Sequence, residues 1–419
     1  MKHFKKLTSA LVVLTVMGTA ALPAYSAVQP DLAKIEERKA RKTQIVGERT
    51  GRQLVKAFEL YNEEKLDEAI AVLLDTKSSS EFDSATVNRF LGNLYAAKDE
   101  KKAIHHLTLA VKPDILVFND QAASLRLLAD LLMQDKQFQK AIDTYENWLR
   151  FTGEQVSDVY MRIANAYYLM EQHPKVLSPA DDAIRFADKL APGPYQLKMA
   201  ALYETKRYKE LITVVETMVE LFPENKQFWV YLGNFYTLTE EYDKSLSILH
   251  LAYTQGYLEK APEVKMLAQM YVNNNIPFSA AKVMEANVKS GLIKRDKDSL
   301  SFIATNYQNS REFLKAAEYY GEVAKLANDA EAYRRQGSAY LSVQRYNDAI
   351  KSFDKALSMN VDKASSVYMS LVDAYFYQNK YKEAYAALMS AKKDPNMSRQ
   401  VRSWESYIKD KAKQKGISL

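Results

Sequence analysis

Small and large apolar side chains recur along this chain in couples three or four residues apart, and the couples return every 33 to 37 residues. A small residue stands at Ala57, Gly92, Ala129, Ala164, Ala200, Gly233, Ala268, Ala304, Gly337 and Val372, and most are followed by a ring or Leu, as at Tyr95, Leu132, Tyr167, Tyr203, Tyr236, Tyr271, Tyr307, Tyr340 and Tyr375. Residues three apart share one face of a helix, so the small member admits a neighbouring helix and the large one fills the space beside it. A second small residue follows in most periods, at Ala69, Ala103, Ala141, Ser245, Ala280, Ala316, Ala349 and Ala384. Each period therefore predicts two amphipathic helices joined by a tight turn. Nothing alternates as a strand would, and the chain reads as all-α.

The clearest copy, Tyr333 to Ala356, places Tyr333, Gly337, Tyr340, Tyr346, Ala349, Phe353 and Ala356 at its large, small and aromatic positions. This pattern resembles the tetratricopeptide repeat. The resemblance implies a right-handed superhelical solenoid of about ten helix pairs with a C-terminal capping helix. The expected division is a leader at 1–26, a charged and partly helical lead-in at 27–50, the array at 51–395 and the cap at 396–419. Copies beginning near Asn88, Trp229, Leu300, Tyr333 and Tyr368 match strongly. The first is degenerate, with Phe58 and Tyr61 shifted by one. Turns after Gly92 and Ala200 read one residue short. In the copy at Ala164, Val176 replaces the small residue and Pro174 and Pro179 disturb the register.

The N-terminus changes the charge picture. Lys2, Lys5 and Lys6 precede an apolar run from Leu7 to Leu22, then Ala24-Tyr25-Ser26 before Ala27, which is the form of a cleavable export signal. The other reading, a membrane anchor, needs a longer run. Cleavage would remove three of the 58 basic residues and leave 55 against 52 acidic, so the net charge falls from +6 to +3. Such a balance predicts no nucleic-acid footprint. With no Cys, the chain carries no disulfide, thiolate nucleophile or thiolate metal ligand. The expected location is the periplasm, in soluble form.

Chemistry is sparse. His105, His106, His173 and His250 lack the i, i+4 spacing of a helical zinc pair, and no phosphate loop or nucleophile elbow occurs. Asp181-Asp182 reads as a solvated helix face. No catalysis, metal or cofactor is expected. In tetratricopeptide domains that bind peptides, the residue after the small one and the residue four before it line the groove. The resemblance thus implies Arg89 and Asn93, Arg126 and Asp130, Met161 and Asn165, Val230 and Asn234, Lys265 and Gln269, and Arg334 and Ser338 there. An Asn amide can hold a peptide backbone, and an Arg can grip a carboxylate. The alternative is that these groups are solvated or pair internally with Asp130. Most of the 28 Tyr sit at packing positions, but Tyr168, Phe376 and Tyr377 follow the core Tyr and are candidate anchors for a partner.

As a whole, the leader, the lead-in KTQIVGERTGRQLVKAFELYNEEKLDEAI and the Cys-free array resemble periplasmic repeat proteins encoded beside TonB-type energy-transduction systems in gamma-proteobacteria. That resemblance implies a partner among envelope proteins, a TonB-system component first, in outer-membrane nutrient uptake. A scaffold for polysaccharide or peptidoglycan assembly and a glycan-acting enzyme on a helical superhelix stay open.

Overall fold

A computed structural model describes residues 28–42, 44–78 and 80–419. The leader lies outside the described residues. Two units partition the chain, Met1–Arg207 and Tyr208–Leu419. The first holds α1 (Leu32–Lys39), α2 (Glu48–Asn62), α3 (Leu66–Leu74), α4 (Glu81–Tyr95), α5 (Glu100–Val111), α6 (Phe118–Gln134), α7 (Phe138–Thr152), α8 (Ser157–Leu169), α9 (His173–Arg185) and α10 (Pro192–Glu204). The second holds α11 (Tyr208–Leu221), α12 (Lys226–Leu238), α13 (Tyr242–Thr254), α14 (Ala261–Asn273), α15 (Pro277–Lys289), α16 (Lys297–Asn309), α17 (Phe313–Ala327), α18 (Ala330–Ser342), α19 (Tyr346–Ser358), α20 (Ala364–Phe376), α21 (Tyr381–Ala391) and α22 (Ser398–Gln414). Among the described residues there is no strand. Within each unit consecutive helices pack on one another, so the all-helical repeat architecture expected from the spacing is what the chain forms.

The turn inside each pair is built without glycine. After the first helix a polar residue takes the left-handed conformation, at Glu64, Lys136, Glu171, Lys206, Glu240, Asn275, Arg311, Gln344 and Asn379, with φ between 56° and 63°. The next N–H then reaches back five residues to the carbonyl of the large core residue, as in Arg345 N to Tyr340 O at 2.9 Å and Glu312 N to Tyr307 O at 2.8 Å. This is a Schellman closure, and it fixes where the second helix starts. The pair α4/α5 lacks the left-handed residue, in keeping with its shorter turn.

The same closure corrects one register. Arg207 N bonds to Leu202 O at 2.9 Å, so Leu202 and not Tyr203 occupies the core position. Leu202 is fully buried while Tyr203 is 48% exposed, and Ala201 is buried rather than Ala200. Counted from Leu202, the turn has the ordinary length. The apparent shortening came from two adjacent large residues, of which the spacing from Ala200 picks Tyr203. In the disputed copy, Val176 is fully buried against Ala164, Ala180 and Ala201, so a larger residue fills the small position there.

Close approach depends on the helical glycines. A Cβ placed on Gly92, Gly233 or Gly337 would lie within 2.5 to 2.6 Å of Leu107, Leu249 or Phe353 on the following helix. Only a missing side chain leaves room for those groups.

The charged lead-in is tied to the first unit by its charges. Arg38 bonds Asp114 through Nε at 3.2 Å and Nη2 at 3.0 Å, and Arg41 donates to the Leu116 carbonyl at 2.9 Å. Asp83, fully buried, accepts from Gly47 N at 3.1 Å and Thr50 Oγ1 at 2.9 Å, which anchors the start of α2. Within the lead-in the helical parts are α1, Leu32–Lys39, and the start of α2 at Glu48. At the other end, α22 buries Val401, Ile408 and Ala412 and presents a polar outer side.

Candidate partner-binding surface

In the first unit the groove candidates form a ladder from first helix to first helix. Arg89 of α4 pairs with Asp120 of α6 at 3.1 Å. Arg126 of α6 pairs with Asp158 of α8 and lies 3.8 Å from Asp130. Arg162 of α8 returns to Asp130 at 3.4 Å and to Asp158 at 3.1 Å. Asp130 also accepts from the buried Tyr145 hydroxyl, and Arg126 lies over the rings of Tyr145 and Trp148. Burial, then the bond to Asp130, holds the Tyr145 phenol well above its ordinary pKa. The internal pairing weighed as the alternative is therefore present. Partly exposed pairs of this kind contribute up to about 1 kcal/mol each.

What remains open to a partner is different. Asn93, Asn165 and Asn234 are exposed. Asn93 borders a cavity of about 190 Å³ walled by Ala57, Phe58, Tyr61, Leu73, Phe90 and Leu94. Phe58 and Tyr61 are 56% and 52% exposed. An amide that can bond a peptide backbone thus stands beside a slot for one apolar side chain. Sequence reasoning named Asn93 but treated Phe58 and Tyr61 as a degenerate match. Their signal was legible: α2 carries Leu54, Val55, Phe58, Leu60 and Tyr61, more apolar residues than one core face uses.

The aromatic candidates divide. Tyr168 is half-buried beside His173, with ring centroids 5.2 Å apart. Tyr377 is exposed and stacks on Tyr346 at 5.9 Å. Phe376 does not face a groove: it is buried under Trp404 and Tyr407 of α22, at 5.3 and 4.9 Å, because the cap covers it. Asp181 and Asp182 also depart from the solvated reading. Asp182 is buried and paired with Arg185 at 3.1 Å, and Asp181 bonds Lys198 at 2.6 Å. Burial raises the Asp182 pKa, against the pull of Arg185. Among the described residues no three His, Asp or Glu side chains gather as a metal site would need. His106, half-buried, bonds Asn88 at 2.8 Å, and His250, exposed, bonds Tyr271 at 2.6 Å.

The two units are thus arrays of helical hairpins that offer side-chain surfaces. Comparison with known proteins gives the class of hairpin. The family described as the SusR N-terminal TPR domain matches residues 43–148, and the tetratricopeptide repeat family matches 303–364 and 334–398. Tetratricopeptide repeats are therefore present in both units, and such repeats are a protein-interaction fold. Similar solved structures include YrrB, a TPR protein with an unusual peptide-binding site, at 18% identity over 48% of this chain and 97% of that one, TM-score 0.34. Another is the TPR2AB domain of yeast Sti1 in a pHSP90 complex, at 18% identity over 61% and 99%, TM-score 0.35. A third is Naa15/Naa10 bound to HypK, at 13% identity over 85% and 65%, TM-score 0.43. No curated protein matches the chain.

Proposed function

We propose that this chain is a non-catalytic periplasmic scaffold whose first unit holds an extended segment of another envelope protein, a component of a TonB-type energy-transduction system. The observation that carries the binding mode is the juxtaposition of the exposed Asn93 amide with the apolar slot of Phe58, Tyr61, Phe90 and Leu94. A peptide backbone bonded by the amide would place one apolar side chain in the slot, which α2, α3 and α4 form, and the Arg–Asp ladder runs on from α4 to α6 and α8. Exposed aromatic anchors of this type carry a large share of interface energy. The export signal and the resemblance of the lead-in support the location and the system.

The test is a photo-crosslinking side chain at position 62, exposed on α2 one turn beyond Phe58, in intact cells, with mass spectrometry of what is captured. A TonB-system component is the expected product, and the chain itself should begin at or next to Ala27 in the periplasmic fraction. Phe58→Ala with Asn93→Ala should weaken capture ten-fold or more, equivalent to at least about 1.4 kcal/mol. Helicity and Tm should stay within error, because both side chains are exposed and Arg89 and Arg126 are untouched. Undiminished capture would place the partner elsewhere, with the regions of Tyr168, Asn165, Asn234 or Tyr377 next in line. Capture of no TonB component would reject the system.

A further inference from the structure

The positive charge of this chain is concentrated at one end. From residue 392 to 419 eight Lys and Arg face three Asp and Glu, a net of +5. Taking these from the 55 basic and 52 acidic residues that follow the leader leaves 47 and 49, a net of −2 for residues 27–391. The whole excess therefore sits on and beside α22.

Helix geometry gathers part of it into a line. With Val401, Ile408 and Ala412 turned inward, Arg399, Arg402, Lys409 and Lys413 fall within an arc of about 80° on the outer side, over a length of roughly 21 Å. All four are exposed. Glu405 pairs with Lys409 at 2.7 Å and with Lys392 at 3.2 Å, and Asp410 borders the arc, so the stripe keeps a positive balance. Tyr407, 48% exposed on α22 itself, and Tyr377, 63% exposed, lie against the Phe376 ring, on the flank of α22 away from the stripe.

We propose that this stripe docks the chain on a bilayer surface of anionic phospholipid, with α22 lying along the headgroups and not inserting. Insertion is ruled out by the burial of the apolar side of α22 within the second unit, and no described helix is long and apolar enough to cross a membrane. A flat sheet of phosphates meets all four cations of a straight stripe at once. Each basic side chain near such a surface raises partitioning about five-fold at moderate salt, and the effect is screened within a Debye length.

The experiment is co-sedimentation of the purified chain, residues 27–419, with vesicles of phosphatidylcholine alone or with 30% phosphatidylglycerol. Binding to the anionic vesicles only, released by 0.5 M NaCl, is expected. Arg399→Gln, Arg402→Gln, Lys409→Gln and Lys413→Gln together should lower partitioning at least ten-fold with helicity and Tm retained. A control that removes equal charge from exposed positions elsewhere, Lys56→Gln, Lys101→Gln, Lys140→Gln and Lys209→Gln, should keep the binding. The proposal is overturned if anionic vesicles are not bound or if the control loses as much as the stripe variant. It is equally overturned if the stripe captures nucleic acid or an acidic protein while ignoring vesicles.

Discussion

Gly337→Leu is expected to destabilise the second unit by roughly 3 kcal/mol, the upper part of the range for overpacking a close contact. The first added atom alone would meet the Phe353 ring at 2.6 Å. Phe353 has nowhere to go, since it is fully buried in the core shared by Ala349, Ala356 and Val372. Relief must come from moving α18 away from α19, which opens the contacts of both with their neighbours. Because a repeat touches mainly the next one, the damage should stay local. Urea titration gives the magnitude. Hydrogen exchange gives the place: faster exchange between residues 300 and 395, with α12 to α15 still protected. Equal loosening throughout the second unit would show one cooperative core instead of a stack.

Much of this architecture was legible in the sequence because its determinants are periodic. The small residues at Gly233 and Gly337 mark where helices touch, and the Tyr three residues on marks where the turn closes. Periodicity fails where two candidates stand side by side. At Leu202-Tyr203 two large residues stand together, and the hydrogen bond from Arg207 N with the burial of Leu202 decides between them. Phe376 was misplaced for another reason: its burial comes from α22, which lies outside the repeat and so outside any rule derived from it.

The surface was less legible than the core. Arg89, Arg126 and Arg162 recur at almost the repeat spacing, as do Asp120 and Asp158, so the ladder was written in the chain. What a list of residue types could not show is that these arginines pair with Asp120, Asp130 and Asp158 of the array itself. The resulting site depends less on charge than expected and more on Asn93 and on the aromatic residues of the degenerate first copy.

Glu285→Ala is expected to cost about 3 kcal/mol at pH 7, the other large effect. This carboxylate accepts from the Tyr307 hydroxyl, from Tyr319 Oη at 2.8 Å and from Lys289 Nζ at 2.6 Å, and both rings are buried. Removing it leaves two phenol hydroxyls in the core without an acceptor, at about 1 to 3 kcal/mol each before relaxation. Burial opposes ionisation of Glu285, but the hydrogen bonds from Lys289, Tyr307 and Tyr319 outweigh it and hold its pKa down from 4.5 to about 2. A carboxylate depressed on folding stabilises the protein fully above its unfolded value and loses that contribution as pH falls through the folded one. The window here is therefore from about 4.5 down to about 2. The isosteric Glu285→Gln separates charge from packing. Its deficit relative to wild type should be constant above pH 5, on the order of 2 kcal/mol with the interaction shared among three donors, and should shrink steadily below pH 4. Urea midpoints of the two proteins at pH 7, 5, 4 and 3 decide it. A deficit as large at pH 3 as at pH 7 would mean that the ionised carboxylate is not what holds α15, α16 and α17 together.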